Sequence, residues 1–255
     1  VRAGREAERL AAEQPASEDW TGLSSPMHYI WDDQPSPIAW RFVRHVTSAP
    51  GRGALISGLQ LTHVSETGDV LDLSEKRGVA TKPRFSRSSL TTFFAVELIM
   101  QALVAMNAPS RRANDRPRVL ERIIMTMPPN LAPHEQTILK SRIEGAVQLV
   151  WRSLGWSEPG ALYAPRPPEV KFVSDNATNS GLTYLHNELG YKFSGKVREY
   201  LDLMGKQRPE HRNGRSLRIA SLDIGGSATC LSVATYELND SGTLVQAPQL
   251  ADGCR

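Results

Sequence analysis

The sequence has few cysteines and lacks a long uninterrupted apolar run, and these two absences exclude several classes of protein. Its only cysteines are Cys230 and Cys254, which argues against a small secreted domain held together by disulfides. The longest apolar stretch, Leu90 to Met106, is interrupted by the polar residues Glu97 and Gln101. We therefore expect it to form a buried helix and not a membrane span. Since the N-terminal residues also lack the apolar segment of a signal peptide, we expect a cytoplasmic protein with no membrane contact.

A strong excess of charge of one sign is missing as well. The 30 basic residues nearly balance the 27 acidic ones, and no segment has the run of Lys and Arg that is typical of a nucleic-acid-binding arm. The 6 histidines are scattered, and none has a cysteine or a second histidine at the spacing of a zinc site. We therefore expect neither a nucleic acid partner nor a structural zinc ion.

The order of predicted elements is typical of an α/β protein. Residues 1–84 are irregular and end in a β-hairpin, residues 85–215 alternate helices with apolar strands, and residues 216–255 open a second hairpin. We predict these three ranges as the parts of the fold. The predicted elements are a hairpin over Ala54–Leu73 with its turn at Gly68, helices over Ser88–Met106, Pro133–Leu154, Asp175–Leu189 and Val197–Leu203, and strands over Val119–Met127, Val170–Val173, Leu217–Asp223 and Thr229–Tyr236.

The segment around Asp223 carries the most chemical information. An apolar strand ends in this carboxylate, two glycines follow, and a second apolar strand begins directly after them. Glycines let the backbone approach another group closely, and the successive N–H groups of such a turn can bind an anion. A carboxylate beside the turn can hold a divalent cation through water. The pattern therefore suits a nucleotide phosphate with Mg²⁺, although an ordinary β-hairpin with a surface aspartate would show the same residues.

Two other phosphate-binding motifs do not fit this segment. A dinucleotide-binding fingerprint needs three glycines that open a helix, whereas the residues after Gly226 continue as a strand. A P-loop needs a Gly-Lys-Ser or Gly-Lys-Thr ending, and the sequence has none.

The strand–Asp-Ile-Gly-Gly–strand pattern at Asp223 resembles the second phosphate motif of the actin, Hsp70 and sugar-kinase ATPase superfamily. Two upstream features match that superfamily in the same order: an apolar strand that ends at Pro128, and a strand that leads to Asp175-Asn-Ala-Thr178. The resemblance implies part of an actin/Hsp70-like ATPase fold, which is of the ribonuclease H-like type. It also implies ATP and Mg²⁺ as cofactors.

A closer resemblance, over Phe85 to Tyr236, is to the SrfB-type bacterial virulence factor family. It is carried by Phe85-Ser-Arg-Ser-Ser-Leu, Gln101-Ala-Leu, Leu120-Glu-Arg-Ile-Ile-Met-Thr-Met-Pro-Pro, Leu149-Val-Trp-Arg-Ser-Leu-Gly-Trp and Ser216-Leu-Arg-Ile-Ala-Ser-Leu-Asp-Ile-Gly-Gly. Because members of that family are much longer, the resemblance implies an internal part of a longer protein. A first phosphate hairpin is then expected upstream and an adenosine pocket downstream, so this part alone should bind ATP poorly.

The resemblance to the ATPase superfamily also assigns residues to a site. Asp223 would hold Mg²⁺ through water and take part in catalysis, and Asp175 and Asn176 would lie near the attacking water. The nucleotide phosphates would be bound by Gly225, Gly226, Ser227, Thr229 and Thr178. From its position alone, Asp175 could equally cap the helix that follows it.

Four positions depart from these patterns and weaken the predicted enzyme activity. Ser227, Ala228 and Cys230 replace a glycine, a threonine and an aspartate of the family pattern, and Asn176 stands where the superfamily commonly has Glu or Gln. An amide can bind water but cannot act as a base. We therefore expect a weak or inactive ATPase. The alternative is a degenerate ATPase fold that serves as a protein-interaction module in a virulence or secretion-related assembly, with partners that the sequence does not identify.

Overall fold

The computed structural model describes residues 4–13, 26–37, 62–75, 84–111, 117–128, 131–209, 214–224 and 229–247. It mixes helices and strands, in agreement with the predicted α/β class. The helices are α1 (Arg5–Glu13), α2 (Arg87–Met106), α3 (Pro133–Ser153), α4 (Asn176–Asn187) and α5 (Val197–Met204), with one π turn at Glu188–Lys192 and short 3₁₀ turns at Pro26–Tyr29, Leu73–Glu75 and Pro109–Arg111. The strands are β1 (Arg122–Met127), β2 (Glu169–Asp175), β3 (Lys206–Gln207), β4 (Arg215–Ile224), β5 (Thr229–Leu238) and β6 (Leu244–Gln246).

The chain divides into two compact units. The first comprises Val1–Ile123 and Ala132–Lys171, and the second comprises Ile124–Leu131 and Phe172–Arg255. Strands β1 and β2 pair with each other, while β3, β4, β5 and β6 form a four-stranded sheet in that order. All three pairings of the four-stranded sheet are antiparallel. The sequence predicts boundaries between parts of the fold after residues 84 and 215. These boundaries refer to the lobes of a longer fold and stay a prediction.

Helices α2 and α3 pack against each other and form the core of the first unit. Phe85 and Phe93 contact edge to face, with ring centroids 5.1 Å apart. Pro133 occupies the first turn of α3, where a missing N–H costs nothing, and Gly155 follows its end with a φ of +70°. Both ends of α3 are therefore as predicted. Its buried apolar residues are Leu139, Ile143, Ala146, Val147, Leu149, Val150 and Trp151.

The start of α2 differs from the prediction. We expected Ser88 or Ser89 to cap this helix, but Ser86 is the N-cap, and its hydroxyl accepts the N–H of Ser89 at 3.0 Å. Ser88 and Ser89 are instead fully buried within the first turn. The sequence offers three serines in a short run, and only packing decides which of them lies one residue before the helix.

The side chain of Arg142 joins α3 to a tight turn and to the start of α2. It is 95% buried, at 5% exposure. Its Nε donates to the Ser88 hydroxyl at 3.1 Å, one terminal nitrogen donates to Asp69 Oδ1 at 2.7 Å, and the other donates to the Thr67 carbonyl at 2.8 Å. All three nitrogens of the guanidinium are therefore satisfied in a buried position, which such a group requires.

The tight turn itself is the predicted one around Gly68. Val64 and Val70 form an antiparallel bridge, and the Gly68 N–H donates to the Ser65 carbonyl at 3.1 Å. Gly68 has a φ of +101°, and a Cβ there would lie 2.8 Å from the Cα of Ser89. Glycine is therefore needed both for the conformation and for the close approach of the turn to α2. Residues 54–61 of the predicted hairpin lie outside the described residues.

Helix α2 is, among the described residues, the helix that is long and apolar enough to cross a membrane by length and composition alone. It has nine buried residues in the structure. Four of these are hydroxyl-bearing, namely Ser88, Ser89, Thr91 and Thr92. The Thr92 hydroxyl approaches the Gly68 carbonyl at 3.4 Å. The apolar side chains of α2 therefore pack inside the first unit, and the helix also has a polar edge that faces the turn.

In the second unit, α4 packs on the hairpin formed by β4 and β5, and α5 contacts β4. The strands at Leu217–Asp223 and Thr229–Tyr236 are confirmed, each slightly longer than predicted. The apolar cluster of this unit is built from Leu185, Tyr200, Ala234 and Tyr236, with Leu189, Phe193, Leu217, Ile219 and Leu244 around it.

The prediction for β1 is wrong in one respect. This strand is not buried, because its residues alternate between exposed and half-buried positions.

The Arg142 contacts predict a large loss of stability on truncation. Arg142→Met removes three hydrogen bonds from a charged donor and leaves the Ser88 hydroxyl and the Thr67 carbonyl without them, so the free energy of unfolding should fall by about 2–4 kcal/mol. Lys140→Met is the matched control, because Lys140 lies on the same helix and makes only an exposed pair with Glu144. It should cost less than about 0.5 kcal/mol. Urea unfolding measures both, and equal losses would contradict the structural role of Arg142.

The same contacts predict a dependence on pH. Partial burial would raise the pKa of Asp69, but the hydrogen bonds from Arg142 and Thr67 and the charge of Arg142 outweigh this effect and lower the pKa below its usual 3.8. A carboxyl with a lowered pKa in the folded protein stabilises it above the unfolded-state pKa, and that contribution is lost as the pH falls further. The stability difference between wild type and Asp69→Asn should thus be constant near neutrality and shrink below about pH 4. Urea unfolding at a series of pH values tests this, and parallel curves would contradict it.

Candidate functional site

The two faces of the β4–β5 hairpin differ in chemistry. The register pairs Ser221 with Ser232 and Asp223 with Cys230. Since side chains alternate along a strand, these four lie on one face, which continues into the apolar cluster under α4 and α5. The opposite face carries four large apolar side chains that are between 49% and 74% exposed, namely Leu222, Ile224, Leu231 and Val233.

The start of α4 is fixed to the covered face by a pair of hydroxyl groups. Thr178 Oγ1 and Ser232 Oγ are 3.0 Å apart, and Thr178 is only 7% exposed. One turn later, Gly181 lies directly over Ser221, since a Cβ at Gly181 would be 2.6 Å from the Ser221 hydroxyl oxygen. Two consecutive turns of α4 thus rest on one cross-strand pair of serines.

Asp223 is half-buried and lies near the end of β4, one residue before Ile224. Its cross-strand partner Cys230 is buried and is a free thiol. The next pair toward α4 is Ser221 with Ser232, which is the pair that α4 contacts. Successive pairs on one face are two residues apart, or about 7 Å along the strand. The structure therefore brings Asp223 and Thr178 to the same face of the same hairpin.

The remaining predicted site residues are placed only in part. Asp175 ends β2 and Asn176 begins α4, with no residue between the two elements. Thr229 is the first residue of β5, is exposed, and pairs with Ile224. Gly225, Gly226 and Ser227 lie outside the described residues. Within the described ranges, no group of three or more His, Cys, Asp or Glu side chains could hold a metal ion.

The sequence matches the model of one protein family, described as virulence factor SrfB, over residues 1–251. The chain belongs to the SrfB family. No significant match was found among curated proteins or among solved structures. The description of the family names an association with virulence and no reaction, so the chemistry of this SrfB-family chain has to be argued from its own residues.

Sequence reasoning missed Ser221 and Ser232, which carry the contact with α4. The signal for them was weak, because one serine within each of two apolar strands does not form a recognisable sequence motif. It did place Gly181 and Leu185 on the inner face of α4, and both are buried. Leu182 was expected there too but is 41% exposed, because α4 presents its small residues to the hairpin and turns this leucine away.

Tyr200 lies beneath the same sheet in this SrfB-family chain and is fully buried. Burial, together with the neighbouring Tyr184 and Glu188, raises its pKa to about 12. The phenol is therefore neutral over the whole physiological range. Its place in the apolar cluster makes it a core residue and not a candidate acid or base.

The contact between Gly181 and Ser221 predicts a coupling that a double-mutant cycle can measure. Gly181→Ala should gain about 1 kcal/mol of helix propensity but push the new methyl group against the Ser221 hydroxyl. In a Ser221→Ala background the nearest atom is the Ser221 Cβ at 3.8 Å, an ordinary contact, so the gain should appear in full. We expect a coupling of about 1 kcal/mol between the two substitutions in urea unfolding.

Gly190→Ala provides the control for this cycle, because a Cβ at Gly190 meets nothing within 4 Å. Its effect should be the same with Ser221 and with Ser221→Ala. A coupling of zero for Gly181 would show that α4 does not approach β4 as closely as described.

Proposed function

We propose that this hairpin is part of an ATP and Mg²⁺ site of the actin/Hsp70-like type, with hydrolysis that is slow or absent. The observation that carries the proposal is the position of Asp223 on the same hairpin face that holds the start of α4. The resemblance requires that a polar group at the end of a strand and the start of a helix lie on the same face of the sheet. Asp223 and the start of α4 have this arrangement. Both belong to the second unit, so the proposal rests on geometry within one compact body.

The order of elements supports the same proposal. Strand β1, helix α3 and strand β2 come first, and α4 follows β2 directly. The chain then forms the antiparallel series β4, β5 and β6. This is the order that the resemblance to the superfamily implies, with Pro128 directly after β1 and Asp223 near the end of β4. The order is a weaker argument than the shared face, because many mixed folds could contain it.

The residues available to a nucleotide fit Mg²⁺ better than a metal that needs several protein ligands. Asp223 is a single half-buried carboxylate, and no cluster of three potential ligands exists among the described residues. Mg²⁺ is commonly held by one or two carboxylates, with water and the substrate phosphates completing its shell. Mg²⁺ would supply charge neutralisation for the phosphates when bound.

The chain's own groups would bind and orient the nucleotide. Gly225, Gly226, Ser227 and Thr229 would offer N–H and hydroxyl donors to the phosphates at the hairpin turn. Asp175 and Asn176, at the junction of β2 and α4, would orient the attacking water. Phosphoryl transfer depends on such positioning and charge stabilisation more than on covalent chemistry. Thr178 would contribute from the first turn of α4, through the hydroxyl that also contacts Ser232.

A second function is favoured by one observation. The outer face of the hairpin exposes Leu222, Ile224, Leu231 and Val233, and such an apolar group on a sheet is commonly covered by another element. This supports the alternative of an ATPase-like fold that serves as a protein-interaction module. The two functions differ in which face of the hairpin matters, and nucleotide binding separates them.

Hydrolysis is expected to rise when two altered positions are restored. In the full-length protein, Asn176→Glu with Ala228→Thr should increase phosphate release from ATP, because each charge-stabilising group commonly contributes on the order of 10²–10³ in rate. Asp223→Ala is the control and should abolish both ATP binding and turnover. Phosphate release and equilibrium binding of Mg²⁺-ATP are measured for wild type and for both variants.

Rapid wild-type turnover that survives Asp223→Ala would show that the chemistry lies on other residues. Absence of ATP binding in every variant would contradict the proposal and leave the interaction module as the supported function.

A further inference from the structure

We propose that the outer face of the β4–β5 hairpin binds an amphipathic helix of a partner protein, whose apolar stripe is continued by acidic residues. The outer face is the one that carries Leu222, Ile224, Leu231 and Val233. The inference rests on the second proposed function, the protein-interaction module, and adds the chemistry of its partner. It does not depend on nucleotide binding.

The side chains of the outer face do not follow the pattern of a sheet with one face in water. In an antiparallel sheet of that kind, apolar residues on the covered face alternate with polar residues on the other face. The covered face already has its helices, because α4 packs on both strands and α5 contacts β4. The outer positions are nevertheless apolar at Ala220, Leu222 and Ile224 of β4 and at Leu231 and Val233 of β5. Two apolar faces are typical of a sheet that has helices on both sides.

Basic side chains lie on the same face at the end away from the hairpin turn. Arg218 is an outward residue of β4, and its Nε donates to the Thr235 hydroxyl. Lys206 is exposed and pairs with Ser216, the outward residue that precedes Arg218 on that face. Arg208 lies at the same place, because one of its terminal nitrogens donates to the Ser216 hydroxyl at 2.9 Å. Three positive charges therefore follow the apolar group along one face.

Charge complementarity gives the chemistry of the partner. Within the described part of the chain, neither Lys206 nor Arg208 forms an ion pair. Glu237 is an acidic residue of the outer face, but it lies on β5 and pairs with Val245 of β6, on the other side of the sheet from β3. A partner with apolar side chains alone would desolvate the cations without a counter-charge, which is unfavourable. Acidic side chains at one end of the partner avoid this and fix its direction along the strands.

The dimensions of the face fit a single helix. The apolar group extends from Ala220 to Ile224, about 14 Å along β4, and Ser216 is about 27 Å from Ile224. With a rise of 1.5 Å per residue, a helix of about eighteen residues covers this length. Four side chains of this type offer at most roughly 500 Å² of apolar area. Because a stable dimer buries about 800 Å² on each partner, the patch is small for a second copy of this chain.

The covered face argues against a lipid bilayer as the partner. Asp223 lies on that face, between the outward residues Leu222 and Ile224. Insertion of this end of the hairpin into a bilayer would take the carboxylate into the apolar layer, which is strongly unfavourable. A helix that lies on the outer face leaves Asp223 in its present surroundings.

The test measures the affinity of the full-length protein for two fluorescent synthetic peptides of about eighteen residues. Both have leucines at helical spacing in the C-terminal half. On the same stripe of the N-terminal half, the acidic peptide has glutamates and the basic peptide has lysines. Wild type should bind the acidic peptide about tenfold more tightly in fluorescence anisotropy, the effect of a few exposed ion pairs.

Leu222→Ser should weaken the binding of both peptides about tenfold, since it removes an apolar side chain from the centre of the patch. Leu203→Ser is the matched control: Leu203 is 70% exposed, against 60% for Leu222, but lies on α5 at the covered side of the sheet. It should leave both affinities within about twofold of wild type. No binding of either peptide to wild type, or an equal loss in Leu203→Ser, would overturn the docking surface.

Lys206→Glu tests the acidic end of the partner. It should weaken the acidic peptide and strengthen the basic one, each about threefold, and this opposite sign does not depend on the helicity of the peptides. The same effect on both peptides would overturn the acidic partner. Self-association of the protein, or binding to phosphatidylserine vesicles, that Leu222→Ser abolishes would identify a second copy or a membrane as the occupant and would likewise overturn the inference.

Mg²⁺-ATP titrated into the same samples separates this inference from the nucleotide site. Binding of ATP without binding of either peptide would overturn the inference and leave the ATP site in place. Binding of the acidic peptide without binding of ATP would support the inference, overturn the ATP site and leave the interaction module as the function.

Discussion

The buried guanidinium of Arg142 is the contact on which the first unit depends. A positive charge at this depth is tolerated only because Asp69, the Thr67 carbonyl and the Ser88 hydroxyl accept its hydrogen bonds. Those three acceptors come from a turn and from the start of α2, so satisfying one side chain of α3 fixes the relative position of three segments. The turn can come close enough only because residue 68 is glycine. Asp69 remains 64% exposed, so most of the desolvation cost falls on Arg142.

In the second unit, contacts of a different kind hold the elements together. Apolar packing around Tyr200 and Tyr236 holds one end of α4, and small residues with hydroxyl groups hold the other. An interface built from Gly181 and Ser221 brings backbone close to backbone and leaves polar groups at the helix start. This is also the end at which Asp223 lies.

Sequence reasoning succeeded where the local chemistry decides the structure and failed where packing does. Pro133 and Gly155 bounded α3 correctly, because each acts through its own backbone. The cap of α2 was misplaced by two or three residues, since Ser86, Ser88 and Ser89 have the same capping chemistry and only the approach of the turn selects Ser86. No sequence pattern distinguishes Arg142 from the other arginines either, because its three partners lie 54, 73 and 75 positions away. For the candidate site, the strands and Asp223 were predicted, whereas Ser232 became visible only with the register of β4 and β5.

Family membership and the hairpin give different kinds of information about function. The SrfB match covers residues 1–251 and identifies relatives without naming a reaction. The hairpin offers two faces whose chemistries favour different functions: the covered face carries Asp223 beside the hydroxyl pair, and the outer face carries exposed leucine, isoleucine and valine. These functions are compatible in principle, because opposite faces of one sheet can serve different partners. The two faces share their backbone, because the same two strands, β4 and β5, carry both sets of side chains. A shift of either strand that is caused on one face is therefore passed to the side chains of the other, which makes the rigidity of this hairpin the property that connects the two proposed functions.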